Sequence, residues 1–170
     1  MSEPELNAAG IARIFNEHGV EYVVIGAYAA IAQKAPIPAT RDIDFTPEAS
    51  LENLNRLSKA LKALRARIRT DAVEGGLQFS HDGASLGRSA IWNLVCDLGE
   101  FVIAFHPAAF ESGYRGLVDR AHKVLVDGVP VTVADLDDVI LSKETAGRPK
   151  DLRVLPILYR FSALKKARGS

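Results

Sequence analysis

The stretch YVVIGAYAAIAQKAPIPATRDIDF, from Tyr22 to Phe45, constrains this chain more than any other segment. Tyr22 to Ile25 is a β-branched and aromatic run that stops at Gly26, the pattern of a buried strand ending in a turn. Ala27 to Lys34 is alanine-rich and helix-forming. Pro36 and Pro38 forbid its continuation and push the residues before them into extended geometry, so a new strand is expected to begin near Thr40. In that strand side chains alternate between faces: Ile43 and Phe45 point to a core, and Asp42 and Asp44 share the opposite surface.

Two carboxylates that close repel each other, and a divalent cation between them relieves the repulsion. An isolated D-x-D is short and common, and its plain reading is a pair of solvated acids at a strand end. The strand, glycine and helix just upstream shift the balance toward a site.

A length of 170 residues suits one domain with a real core. With 48% hydrophobic and 25% charged residues the chain is a folding sequence rather than a disordered one. No apolar run reaches the ~18 to 20 residues needed to span a bilayer, and MSEPEL is not a signal-peptide start. A cytoplasmic protein without membrane contact is expected. Cys96 is the single cysteine, which excludes an internal disulfide and a cysteine-based zinc site and reads as a small core residue. The four histidines, His18, His81, His106 and His122, lack metal-ligand spacing or a nucleophile motif. Walker, G-x-G-x-x-G and G-x-S-x-G sequences do not occur.

Net charge is zero, against a generally basic nucleic-acid binder, but the charges segregate. Ser50 to Thr70 carries six basic residues against Glu52, and Lys143 to Ser170 carries eight against Glu144 and Asp151.

Glu5 to His18 reads as a helix with Gly19 as its C-terminal cap. Leu54, Leu57, Leu61, Leu64 and Ile68 repeat at spacings of three and four, predicting an amphipathic helix from Ser50, its N-cap, to about Arg67. Its outer face of Arg56, Lys59 and Lys62 is by default a solvated helix surface, and with an RNA partner it would contact phosphates. Val73 to Gly87 suggests a short strand between glycine turns. Ser89 to Leu98 reads as an apolar strand ending in Asp97, either a site carboxylate or a strand-end aspartate turning into Leu98-Gly99; Asp71 and Asp82 are weaker rivals for the site. Phe101 to Arg120 reads as loop with a short helix. Asp127-Gly128 between His122–Val126 and Val129–Val133 is a tight hairpin. Asp135 caps a helix to about Ala146, ended by Gly147. Pro149 opens another helix, with Leu152, Leu155 and Leu158 inward and Pro156 kinking or interrupting it. Tyr159 is either a core residue or a stacking platform for a base.

Gly26 with a small residue and a helix after it, followed by Thr-Arg-Asp-Ile-Asp-Phe, resembles the glycine motif and D-x-D core of the polymerase-β-like minimal nucleotidyltransferases. SKETAGRPKDLRVLPIL, Ser142 to Leu158, resembles the ending of the AbiEii-type toxins, including the MenT tRNA nucleotidyltransferase toxins. The likeness covers Tyr22 to Phe45 and Val129 to Leu158 well and the middle loosely. It implies an α/β (α+β) nucleotidyltransferase fold: a small mixed sheet packed by helices over residues 1–134, and a C-terminal helical segment over 135–170, in a single domain.

Nucleotidyl transfer uses metal ions to bridge triphosphate oxygens and neutralise the leaving pyrophosphate, and carboxylates suit Mg²⁺, or Mn²⁺ in its place. On the resemblance, Asp42, Asp44 and Asp97 are the metal ligands and, with Lys143 and Asp151, the catalytic residues. Gly26, Ala27, Thr40, Arg41, Lys143 and Arg148 bind the nucleotide. Lys143 near a helix C-terminus is also favoured by the dipole alone. The family usually has glycine or serine after Gly26; Ala27 removes a hydroxyl but keeps an amide. The implied function is transfer of NMP from an NTP, CTP or another, to the 3′ end of tRNA by a toxin that a cognate antitoxin restrains. Alternatives are a protein or antibiotic-like small-molecule hydroxyl as acceptor, or a degenerate domain that binds nucleotide or a partner without turnover.

Overall fold

The computed structural model describes residues 5–169. Val23, Val24 and Ile25 have so little polar character that both faces of their strand, β1 (Tyr22–Ile25), are covered. β1 sits inside a seven-stranded mixed sheet, beside β2 (Asp42–Pro47). The remaining strands are β3 (Arg67–Ile68), β4 (Ile91–Cys96), β5 (Gly99–Ala104), β6 (His122–Val126) and β7 (Val129–Val133). They are arranged in the order β3-β4-β5-β2-β1-β7-β6. β2 runs parallel to β5 and antiparallel to β1, in the register Ile25 to Asp44 and Asp42 to Glu100. The D-x-D strand is thus central, not the water-facing edge that would let two acids stand unremarked.

The alternation expected of β2 is met: Ile43 and Phe45 are fully buried while Asp42 and Asp44 are partly exposed. Phe45 packs on Phe15 of α1 (Ala8–Glu17) with ring centroids 4.4 Å apart, and edge-to-face on Tyr22 and Phe101. α1 therefore covers the aromatic face. The opposite face carries the acids and meets α2 (Gly26–Ala32), which packs on β2 and on α6 (Leu136–Ala146). α6 in turn packs on α7 (Pro149–Gly169).

α3 (Leu51–Ala63) begins at the expected Ser50 cap, which accepts from Asn53 N–H at 3.2 Å. It ends earlier than the leucine spacing suggests. Arg65 takes a left-handed φ of 53°, and Ile68 lies in β3, not on the helix. The glycine-rich segment after it holds only a bridge from Leu77 to Ile68 and the short helix α4 (Gly83–Leu86), not a strand of its own. Phe101 to Ala104 belongs to β5 rather than to a loop, because Asp97 and Leu98 reverse the chain at once. The short helix expected in that region is α5 (Tyr114–Leu117). The Asp127-Gly128 hairpin, the Asp135 cap and the Gly147 terminus at φ 61° all form as expected.

α7 runs unbroken through Pro156. Pro156 is exposed, so the carbonyl it deprives of a partner can turn to water. The inward stripe is Asp151, Leu155, Leu158 and Ser162, and Leu152, one position off it, is exposed. Tyr159 is not a core residue: it is half exposed, and its hydroxyl donates to Glu144 Oε2 at 2.6 Å between α7 and α6. Cys96 is buried, as expected. No described helix is long and apolar enough to cross a membrane.

Asn53 is a fully buried polar clamp between α3 and the sheet. It accepts from Glu21 N–H at 2.8 Å and donates to Glu21 O at 2.9 Å and Glu48 O at 2.7 Å. Asn53→Ala strands those backbone groups and is expected to lower unfolding free energy in urea by about 2–4 kcal/mol. The exposed Lys59→Ala on the same helix should stay within about 0.5 kcal/mol.

Candidate active site

Gly26 joins β1 to α2 at φ +78°, and a Cβ added there would collide with Asp44 Oδ2. Only glycine satisfies both the left-handed backbone and the close approach of that carboxylate. Asp44 and Asp42 project beside it from the face of β2 that α1 does not cover. Thr40 Oγ1 donates to Asp42 Oδ1 at 3.2 Å. Burial and the neighbouring Asp42 charge push the Asp44 carboxyl up to about 7, against the pull of Lys150, Lys143 and Arg148.

Those cations come from the α6–α7 corner. Lys143 lies on the inward stripe of α6 with Val139 and Ile140, which buries it. Its Nζ meets Asp151 Oδ1 at 3.2 Å, and Arg148 donates Nε to Asp151 Oδ2 at 2.7 Å and Nη2 to Oδ1 at 3.3 Å. Burial alone would raise the fully buried Asp151 carboxyl, but the hydrogen bonds from Arg148 and Lys143 outweigh it and hold it below the usual range.

Gly26, Ala27, Thr40, Asp42, Asp44, Lys143, Arg148 and Asp151 line one cleft of about 970 Å³. Sequence reasoning proposed all eight as site residues. Arg41 is exposed and is not among the lining residues. Asp97 is not brought to the pair. It stands in the β4–β5 turn with its side chain 85% exposed, 3.6 Å from Arg67, on the wrong side of the Cys96–Gly99 closure of the hairpin. The strand position facing Asp44 is Val102, and Asn93 lies beyond it. The carboxylate that does share the acidic face is Glu100, opposite Asp42 and bonded to Arg69 at 2.9 Å.

Arg69, Lys150 and Arg153 also line the cleft, and sequence reasoning assigned none of them to the site. Lys150 and Arg153 flank Asp151 on α7, so their proximity to an assigned residue was a usable signal. Four lining cations from the α6–α7 corner, Lys143, Arg148, Lys150 and Arg153, face three lining acids, Asp42, Asp44 and Asp151, with Arg69 standing apart on the β5 side. The cleft therefore combines a focused negative spot with a wider positive wall, an arrangement suited to a polyphosphate. Asp42 and Asp44 are the residues that could hold a divalent cation. Among the described residues no three His, Cys, Asp or Glu gather as ligands. Such an ion would complete its shell with water and substrate phosphate, the usual manner for Mg²⁺.

The Asp44 carboxyl titrates higher folded than unfolded, so the folded chain binds more protons between about pH 4 and 7 and loses stability as pH rises through that window. Asp44→Asn removes this cost. Its Tm is expected to exceed that of the unmodified chain by several degrees at pH 8 and to match it near pH 4, measured by thermal melts without divalent cation.

No protein-family model and no curated protein matches the sequence. Solved structures do. The antibiotic-resistance factor ANT(2'')-Ia matches with a TM-score of 0.56 at 12% identity, over 94% of this chain and 93% of its own. A candidate nucleotidyltransferase of Thermotoga maritima matches with a TM-score of 0.52 at 15% identity, over 86% of each chain. At these identities the likeness concerns architecture alone, a mixed sheet packed by helices. The chain has the nucleotidyltransferase fold.

Proposed function

We propose that the protein is an NTP-dependent nucleotidyltransferase, and that its acceptor is the 3′ end of tRNA, as the toxin-like C-terminal sequence implies. The observation that carries the chemistry is the convergence of Asp42 and Asp44 with the Lys143–Asp151–Arg148 cluster in one cleft. The acceptor, and restraint by an antitoxin, rest on the sequence resemblance.

In the transfer, the acceptor hydroxyl oxygen bonds to the α-phosphorus as the bond to the bridging β-oxygen breaks. The hydroxyl proton leaves to solvent, and pyrophosphate leaves with the electron pair. Lys143 and Arg148 bind the phosphates that become pyrophosphate, and Asp151 bonds to both cations and holds them in place. Lys150 and Arg153 extend the same wall. Asp42 and Asp44 would hold Mg²⁺, which supplies charge neutralisation at the reacting phosphate. Because Asp44 holds its proton up to about pH 7 in the metal-free cleft, Mg²⁺ binding there should release that proton and tighten as pH rises toward neutrality. The Ala27 amide remains beside the phosphates where a serine hydroxyl would otherwise stand.

The likeness to ANT(2'')-Ia supports a second reading with the same chemistry and a small-molecule acceptor.

Incubation with Mg²⁺, each labelled NTP and total tRNA is expected to label tRNA. Asp42→Ala should lower the rate by at least about 100-fold, while Asp97→Ala stays near the unmodified rate. Label only in a small molecule or a protein would move the acceptor. Nucleotide binding with no transfer at all would leave a binding domain.

Expression in a bacterial host should arrest growth, and Asp42→Ala should relieve the arrest. Unimpaired growth beside robust transfer to tRNA in vitro would remove the toxin role.

A further inference from the structure

In-line displacement puts the attacking hydroxyl and the leaving pyrophosphate on opposite sides of the α-phosphorus. A cleft that performs it has two ends, and here they differ chemically. On the β1 side stand the cations of α6 and α7, since α6 packs on α2. On the β5 side the floor is Val102, Ala104 and Asn93, with Arg69 and His106 at its margin.

Arg69 follows β3, and its backbone N–H donates to Asn93 O at 2.9 Å, which fixes it beside β4. From there its Nη1 reaches across β4 to Glu100 Oε2 at 2.9 Å. Glu100 is 7% exposed and stands opposite Asp42 on the same face, one strand spacing of about 5 Å away. The guanidinium, paired with Glu100, is thereby held on the β5 side of the Asp42–Asp44 pair, away from Lys143. The acids that line the cleft are Asp42, Asp44 and Asp151 alone. Glu100, the further carboxylate on this face, is already committed to Arg69. His106 Nδ1 lies 2.8 Å from Glu111 O, so it too brings no negative charge. Beyond Asp42 and Asp44, this end adds no unpaired carboxylate among the described lining residues. It offers a guanidinium, whose five donors exceed what one carboxylate oxygen takes, and an amide.

We propose that the β5 end is the acceptor subsite. Arg69, positioned by Glu100, binds the phosphodiester preceding the terminal ribose of a nucleic-acid acceptor. The proposal rests on the nucleotidyl-transfer reading and adds to it the acceptor's charge and the residue that selects it.

The test compares the full chain with Arg69→Gln, Arg69→Lys and the double variant Arg69→Gln/Glu100→Gln, which leaves no unpaired buried carboxylate. With Mg²⁺ and NTP, Arg69→Gln and the double variant should raise KM for tRNA about tenfold and reduce the salt slope of tRNA binding by about one. The KM for NTP should not move, and Arg69→Lys should recover part of the loss. A merely structural role would shift both KM values together or change melting alone. Unchanged tRNA KM and salt slope in both glutamine variants would overturn the proposal. So would transfer to an aminoglycoside in preference to tRNA. Failure of the unmodified chain to bind any NTP in equilibrium dialysis would overturn the parent reading itself, a result distinct from either.

Discussion

Everything in the cleft depends on which way β2 faces. Its side chains alternate, and a slip of one residue would bury both aspartates and expose Phe45. The register is held from behind by an aromatic cluster in which Phe15 and Phe45 rings lie 4.4 Å apart with Tyr22 and Phe101 edge-on. The acids are thus positioned by residues that never touch them. Packing on one face of a central strand fixes chemistry on the other.

Electrostatics then does what packing cannot. Two carboxylates on one partly buried strand face cannot both ionise cheaply, and Asp44 yields by holding its proton to about pH 7. The cations around it soften this without abolishing it. Had they been closer, the acids would have formed ordinary ion pairs and left nothing for a ligand. Lys143 and Arg148 are instead occupied by Asp151, which leaves the aspartate pair unneutralised. The cleft keeps its positive and negative spots separate, which is the condition for recognising a charged ligand.

The parts of this arrangement legible in sequence were the local ones. A β-branched run ending in glycine, a D-G hairpin, a serine cap and an aspartate cap each act within a few residues, and β1, β6–β7, α3 and α6 formed where those signals lay. Asp42 and Asp44 were legible because strand periodicity is strict. Asp97 was misplaced because a strand's last residue looks the same whether the chain continues into a loop or reverses; here Leu98-Gly99 reverses it, creating β5 from residues that read as loop. Arg69 and Glu100 were invisible for a different reason. They are 31 residues apart, Arg69 just after β3 and Glu100 on β5, segments that meet only through β4, and long-range register is not written in either segment. Leu152 and Asp151 show the limit of hydrophobic spacing: the helix turned its buried stripe toward the carboxylate because two cations waited there to satisfy it.

The Lys143–Asp151–Arg148 cluster has one more consequence. Lys143 and Arg148, two like charges, both bond to Asp151, a resident anion that holds them together. On the proposed reading, in which they grip adjoining phosphates, the grip is assembled before any guest arrives. Binding need not recruit mobile arms from solvent, and selectivity falls to the fixed spacing of a preformed mould.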